Sequence, residues 1–199
     1  MPINARFKNQ KEIQLIMKKI KVNEIFYSIQ GEGANAGMSA VFVRLSGCNL
    51  QCSFCDTKHE SYTEVTVEKL KHEVEKYNCK NIIWTGGEPT MQLTNDILEL
   101  FENYFNCIET NGTNPVPSRI DYIACSPKME TKLPYVNEIR LPIKKGDKLP
   151  DISIMPKAQN YYISPIDVSK ENIDYCLELI KENPQWKLSI QIHKLLKIA

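Results

Sequence analysis

"GCNLQCSFCDT", Gly47 to Thr57, places three cysteines, Cys48, Cys52 and Cys55, within eight positions, with a glycine ahead and an acid and a hydroxyl behind. Three thiols so close together admit a metal site, a disulfide, or small buried side chains. Bulk properties narrow the choice. The 199 residues suffice for one sizeable core. A hydrophobic share of 42% and a charged share of 25% describe a globular domain rather than a disordered chain. The net charge of +1 creates no broad field, so neither nucleic acid nor a membrane surface is an expected partner. No apolar run approaches the roughly 20 residues needed to span a bilayer. The opening "MPINARFKNQKEIQLIMKKI" carries charges throughout and lacks the apolar stretch of a secretory signal. Seven cysteines without an export signal point to a reducing cytoplasm. There the cluster at 48–55 is expected to bind metal or do redox chemistry rather than form disulfides.

Around this loop the pattern is that of one α/β domain. "SAVFVRLSG" leads into it as a strand, and "KVNEIFYSI" precedes that, both rich in β-branched and aromatic residues. "TVEKLKHEVEKYN" follows, with apolar residues at 67, 70, 74 and 77, a helical spacing. "NIIWTGG" reads as a short buried strand ending in glycines, and "NDILELFENYF" as a helix with Asn95 as its cap. "FNCIETNG", "DYIACSPK", "VNEIRLPI" and "NYYISP" are further strands. "SKENIDYCLELIKEN" is a helix capped by Ser169, and "WKLSIQI" is a last strand. Strands alternating with helices imply a mostly parallel sheet with right-handed crossovers and active residues at the strands' C-terminal ends. The Lys- and Pro-rich stretch 127–158 is expected to be the most irregular part.

The spacing C-x3-C-x2-C can hold three irons of a [4Fe–4S] cubane, and no fourth cysteine follows until Cys79. Three protein ligands would leave one iron open to a substrate or cofactor. A structural zinc site needs a closed set of four, which His59 could complete. Cys79, Cys107, Cys125 and Cys176 share no spacing and read as small buried side chains.

C-x3-C-x2-C with an aromatic residue, Phe54, before the third cysteine resembles the signature of the radical S-adenosylmethionine (SAM) enzymes. "TGGEP", Thr85 to Pro89, resembles the segment that holds the methionine end of SAM in that family. A narrower resemblance rests on "EIFYSIQGEG", "FVRLSGCNLQCSFCDT", "TGGEP", "ETNG", "SPK" and "IQIHK", which together are similar to the 7-carboxy-7-deazaguanine synthases. It runs from about Lys21 to the C-terminus. Met17 resembles the usual start, so residues 1–16 are expected to be an extension and 17–199 a single radical SAM domain. The resemblance implies a reduced, partial (β/α) barrel, about (β6/α3). It also implies that the enzyme converts 6-carboxy-5,6,7,8-tetrahydropterin to 7-carboxy-7-deazaguanine with loss of ammonia, on the route to queuosine in tRNA and other deazapurines.

The same resemblance assigns residues. Cys48, Cys52 and Cys55 would ligate the cluster. Phe54, Gly87, Glu88, Ser126, Lys128 and the segment Ser164, Pro165, Ile166 and Asp167 would contact SAM, with Glu88 taking its ammonium group. Ser164 departs from the family, which often has glutamine there. Ile29, Gln30, Gly31, Glu32, Thr85, His193 and the terminal Ala199 would contact substrate. Arg44 would grip its carboxylate in a two-pronged way, which also answers why a charge stands in the apolar strand "VFVRLSG". Thr57 would supply a hydroxyl to Mg2+, an oxygen-seeking ion. Flavodoxin or ferredoxin as electron donor, and a homodimer, are implied too. In the implied mechanism a deoxyadenosyl radical takes hydrogen from C6 of the pterin, the ring contracts, and SAM is regenerated. Two rivals remain: a glycyl-radical-enzyme activase, which shares the cysteine spacing, and a non-catalytic iron–sulfur electron carrier.

Overall fold

The structure, a computed structural model, describes residues 10–53, 55 and 60–198. It opens with α1 (Gln10–Met17), whose Ile16 is buried and whose Leu15 packs on the main core. β1 (Lys19–Ile29) and β2 (Ser39–Leu45) form an antiparallel pair. The turn between them is closed by Gln30 N–H to Met38 O and Gly37 N–H to Gln30 O, both 2.8 Å. After the cysteine loop, the short β3 (Thr63–Thr66) pairs antiparallel with β1 at the sheet edge. It is a polar four-residue edge strand with too little alternation to be foreseen from sequence. α2 (Val67–Glu75) follows, capped by Thr66, which accepts from Lys69 N–H.

The remaining strands are β4 (Asn81–Gly86), β5 (Phe105–Thr110), β6 (Tyr122–Cys125), β7 (Tyr135–Ile143), β8 (Lys157–Pro165) and β9 (Trp186–Leu188). The sheet has nine strands in the order β3-β1-β2-β4-β5-β6-β7-β8-β9. From β2 to β9 every neighbouring pair is parallel. Because β4 to β9 follow one another in chain order, each crossover steps the same way, the winding of a barrel rather than of a doubly wound sheet. The edge strands β3 and β9 do not pair, so the barrel stays open. Three crossovers carry helices: α2, α3 (Asn95–Glu99) and α4 (Lys170–Glu182). This is the expected reduced barrel, with the three-residue β9 added to six longer or central parallel strands.

Alternation along the strands separates the two faces. Val41, Val43, Leu45, Ile82, Trp84 and Ile108 point outward against α2, α3 and Phe101. Ile139, Leu141 and Ile163 meet Cys176 of α4 and Trp186. The inner face has a small apolar floor of Ala40, Phe42, Ile83 and Cys107, with Phe26 stacked on Phe42 at 4.9 Å. Cys79, Cys107 and Cys176 are buried as expected, and burial pushes the thiols of Cys107 and Cys176 up to about 12 and about 11.

Two elements differ from the sequence reading. α3 ends at Glu99 and is capped by Thr94, not Asn95. The helix stops early because Asn106 donates its side-chain amide to the carbonyls of Phe101 and Tyr104, both at 3.0 Å, which turns the chain into β5. The last strand ends at Leu188, and Ile192–Leu196 forms a short helix, α5. There Ile192 N–H donates to Gly31 O, a tertiary bond that pulls the backbone out of the sheet. Stretch 127–158 is irregular on either side of β7, which it holds whole, and ends in the first residues of β8.

Trp84 is fully buried, lies edge-on to Phe101 and donates Nε1–H to Asn106 Oδ1 at 2.9 Å. Trp84→Phe keeps most of the apolar contact but leaves that buried acceptor unpaired. A loss of about 1–3 kcal/mol is expected, read as a lower urea midpoint by circular dichroism. An unchanged midpoint would show that the bond contributes nothing.

Candidate active site

A cavity of about 570 Å³ opens over the C-terminal ends of the parallel strands. One wall is the cysteine loop with the Gly86–Gly87 pair. The Gln30–Glu32 turn with Gln191 and His193 forms another part of the lining.

Cys48, Cys52 and Cys55 all line this cavity, Cys48 and Cys52 half-buried and Cys55 exposed. Their loop is seated by backbone bonds: Gly87 N–H to Leu45 O at 3.0 Å and Glu88 N–H to Gly47 O at 2.8 Å. A Cβ at Gly87 would fall 2.0 Å from Gly47 O, so this approach requires glycine. Asn49 is held on both sides, donating to Thr113 Oγ1 at 2.7 Å and accepting from Asn111 Nδ2 at 3.0 Å. The Cys48 thiol is pushed up by burial and by the nearby charges of Glu88, Cys52 and Cys55, against one backbone N–H from Leu50. A cationic centre between the thiols would relieve this repulsion. Among the described residues no three His, Cys, Asp or Glu side chains close on the position of a single metal ion. Three thiols face one cavity from a shared loop, the number that three irons of a cubane would take.

Glu88 requires a correction. Its carboxylate has no exposure and does not line the cavity. Oε1 accepts from Thr90 N–H, Thr90 Oγ1 and Thr110 Oγ1 at 3.1, 2.6 and 2.8 Å, and Oε2 from Asn111 N–H at 2.8 Å. With three protein donors on Oε1 and one on Oε2, the side chain is a structural hub set behind the cavity wall. Asp167 also stays outside the cavity. It accepts from Ser169 N–H and Asn172 Nδ2, both at 2.9 Å, which prepares the start of α4. Phe54, Thr57, His59 and Ala199 lie outside the described residues.

The other expected SAM residues converge. Gly87, Ser126, Lys128, Ser164, Pro165 and Ile166 line the cavity, and Lys128 Nζ donates to Ser126 Oγ at 2.7 Å. Burial draws the Lys128 ammonium below the usual lysine range, against the pull of nearby thiols and Glu32. Ser164 Oγ is buried with no hydrogen-bond partner among the described residues, as an orphaned group beside a ligand would be. Cys125 is buried as expected but also borders this wall, its thiol pushed up to about 12 by burial.

Ile29, Gln30, Gly31, Glu32, Arg44, Thr85 and His193 all line the same cavity. Arg44 donates Nε–H to Glu24 at 2.6 Å and lies beside the Phe26 ring. His193 belongs to α5 rather than to the last strand, and a Cβ at Gly31 would sit 2.1 Å from its Nδ1. The C-terminal segment is fastened to the turn by Gln191 Nε2 to Glu32 Oε1 at 2.5 Å and Gly33 N–H to Ser189 Oγ at 2.9 Å.

Sequence reasoning missed the ionic centre of this wall. Glu109 accepts from Gln30 Nε2 at 3.0 Å, Thr85 Oγ1 at 2.8 Å and Arg140 Nη1 at 2.8 Å. Burial alone would raise the Glu109 carboxyl. The Arg140 charge and the three hydrogen bonds outweigh it and hold the group below the usual carboxylate range. Arg140 also donates Nε–H to Glu138, which is fully buried. The signal was present: a charge inside an apolar strand, the argument that singled out Arg44, applies equally to "NCIET" and "NEIRL".

Comparison with known proteins agrees with this geometry. Residues 42–182 match the Radical SAM superfamily. A 7-carboxy-7-deazaguanine synthase of Bacteroides thetaiotaomicron is 41% identical over 182 residues, covering 89% of this chain and 98% of its own. One from Haemophilus influenzae is 40% identical, covering 88% and 92%. The crystal structure of QueE from Escherichia coli shares the fold with a TM-score of 0.74 at 23% identity, over 94% of this chain and 100% of that one. The chain belongs to the radical SAM superfamily and, within it, to the 7-carboxy-7-deazaguanine synthase family.

Proposed function

We propose that this chain is a radical SAM lyase that converts 6-carboxy-5,6,7,8-tetrahydropterin to 7-carboxy-7-deazaguanine and releases ammonia, in queuosine biosynthesis. The observation that carries the reading is one cavity lined by three cysteines and also by Arg44 and His193. Relatives that match over nearly their whole length do not favour a glycyl-radical-enzyme activase or an electron carrier.

Membership of the superfamily implies a [4Fe–4S] cluster and SAM, which together supply a 5′-deoxyadenosyl radical when bound. In this reading Cys48, Cys52 and Cys55 hold three irons. Ser126, Lys128 and the Ser164–Ile166 wall hold SAM, and its ammonium meets backbone at Gly87 rather than the engaged Glu88 carboxylate. Arg44 and His193 hold the substrate carboxylate. Glu24 fixes the Arg44 side chain through Nε, and the packing of His193 on Gly31 fixes the imidazole, so neither group has to reorganise when substrate arrives. The flat apolar floor of Phe26 and Phe42 suits a planar ring and excludes water. Thr57 and the substrate carboxylate hold Mg2+. Residues 17–199 form the catalytic domain. The chain works in the cytoplasm as a homodimer, draws electrons from flavodoxin or ferredoxin, and its product serves tRNA modification. Among the described residues no helix is long and apolar enough to cross a membrane.

Anaerobic reconstitution tests the cluster. About four irons per chain are expected, with loss of SAM cleavage in Cys48→Ala, Cys52→Ala or Cys55→Ala and none in Cys79→Ala. A fully loaded cluster in Cys52→Ala would remove the assignment. Arg44→Lys keeps the charge but not the fork, and a loss in kcat/KM equivalent to about 2–3 kcal/mol is expected. Near-normal efficiency would show that Arg44 does not grip the carboxylate. Withdrawing Mg2+ should slow product formation while SAM still perturbs the cluster's EPR signal. The Mg2+ response should weaken in Thr57→Ala and survive in Thr57→Ser, and an identical titration in Thr57→Ala would place the ion elsewhere.

A further inference from the structure

Arg140 is only 7% exposed and still lines the cavity. Its Nε–H is taken by Glu138 and its Nη1 by Glu109. Its third nitrogen, Nη2, has no hydrogen-bond partner among the described residues. The side chain has no freedom to seek one elsewhere. Glu138 is anchored by Ala34 N–H and Tyr122 O–H, both at 2.8 Å, and Glu109 by Gln30 and Thr85. Two fixed carboxylates set the plane of the guanidinium and leave one donor edge for the cavity.

The charge around this edge selects what can meet it. Glu109 and Glu138 bond to Arg140 directly, and Glu32 lines the cavity near both Arg140 and Lys128, so three carboxylates stand against two cations. A substrate carboxylate would be repelled here, and a neutral edge rich in N–H donors would be favoured. The carboxylate then belongs at Arg44, on β2. Register places Arg44 beside Thr85 on β4, and β5, which carries Glu109, is the next strand along. Two interstrand steps separate Arg44 from Glu109, roughly 10 Å, the span of a two-ring heterocycle with a carboxylate at its far end.

We propose that Arg140 is a specificity-determining residue: its Nη2 donates to the ring oxo oxygen of the substrate, while the Glu109 and Glu32 carboxylates, which line the cavity, face the ring's N–H and amino groups. The inference rests on the pterin reading above. Arg140 thereby reads the one acceptor on an edge otherwise made of donors, and discriminates against rings that lack a strong acceptor there.

The test compares two inert, fully oxidised ligands by titration calorimetry on cluster-loaded protein with SAM. One is 6-carboxypterin. The other is its 4-thioxo analogue, which keeps the ring N–H, the amino group and the carboxylate but replaces the oxo oxygen by sulfur, a weak acceptor. Wild type should bind the oxo ligand at least about tenfold more tightly. Arg140→Met alone would remove the cation shared by Glu138 and Glu109, so it is paired with Glu138→Gln, which keeps the local net charge and leaves Glu109 its bonds from Gln30 and Thr85, and the double variant should bind both ligands alike. If wild type binds both equally, or if the double variant keeps the wild-type preference, Arg140 is only a strut and the proposal falls with the pterin reading intact. If the double variant does not fold, Arg140→Lys, which keeps the charge but lacks Nη2, replaces it and should lose the preference, and a preference kept in Arg140→Lys overturns the proposal. If wild type binds neither ligand, the pterin reading itself fails, and this inference with it.

Discussion

A carboxylate sealed from water, Glu88, is the point on which the cofactor side of this molecule depends. Four donors converge on it, from Thr90, Thr110 and Asn111. An ionised group in that position would be costly to bury without them. Its backbone N–H reaches Gly47 of the cysteine loop, and Asn111 reaches on to Asn49. One buried charge thus joins the end of β4, the end of β5 and the loop that carries the three thiols. The loop is long and partly exposed, yet its first residues have a fixed seat.

The substrate side is organised by the opposite device, a cation enclosed by carboxylates. Arg140 bridges Glu109 and Glu138, and those two acids collect Gln30, Thr85, Ala34 and Tyr122. Such buried ion pairs add little net stability, because desolvation offsets most of the attraction. What they provide is position. The turn after β1 is set against the sheet by Gln30 and Ala34, and the C-terminal segment is then set against the turn by Ser189, Gln191 and Ile192. This part of the cavity is therefore assembled by polar contacts between parts of the chain from 79 to about 160 residues apart.

Between these two devices the sheet divides its labour by face. The crossover helices α2, α3 and α4 cover the outer side, where the apolar residues of β2, β4, β5, β7 and β8 gather. The inner side keeps a thin apolar floor and, toward the C-terminal strand ends, the polar row that begins with Arg44 and Thr85. Because the barrel never closes, this inner face remains open to ligands, which a fully packed barrel interior would not allow.

The sequence by itself determined the class of fold, the strand–helix alternation, and the residues whose chemistry is local. The cysteine spacing, the glycine pair and the cap at Ser169 are encoded within a few positions, so they can be read without knowing the rest of the chain. Arg44 was legible because a charge in an apolar strand needs a reason. Tertiary structure decided whatever depends on contacts distant in sequence. It turned Glu88 away from the cavity, because its partners sit on β5 and in the turn after Pro89. It ended the last strand at Leu188, because Gly31, far back in the chain, captures Ile192. It also brought Glu109 and Arg140 together across the sheet, a pairing set by strand order and register and not by any motif that either segment carries.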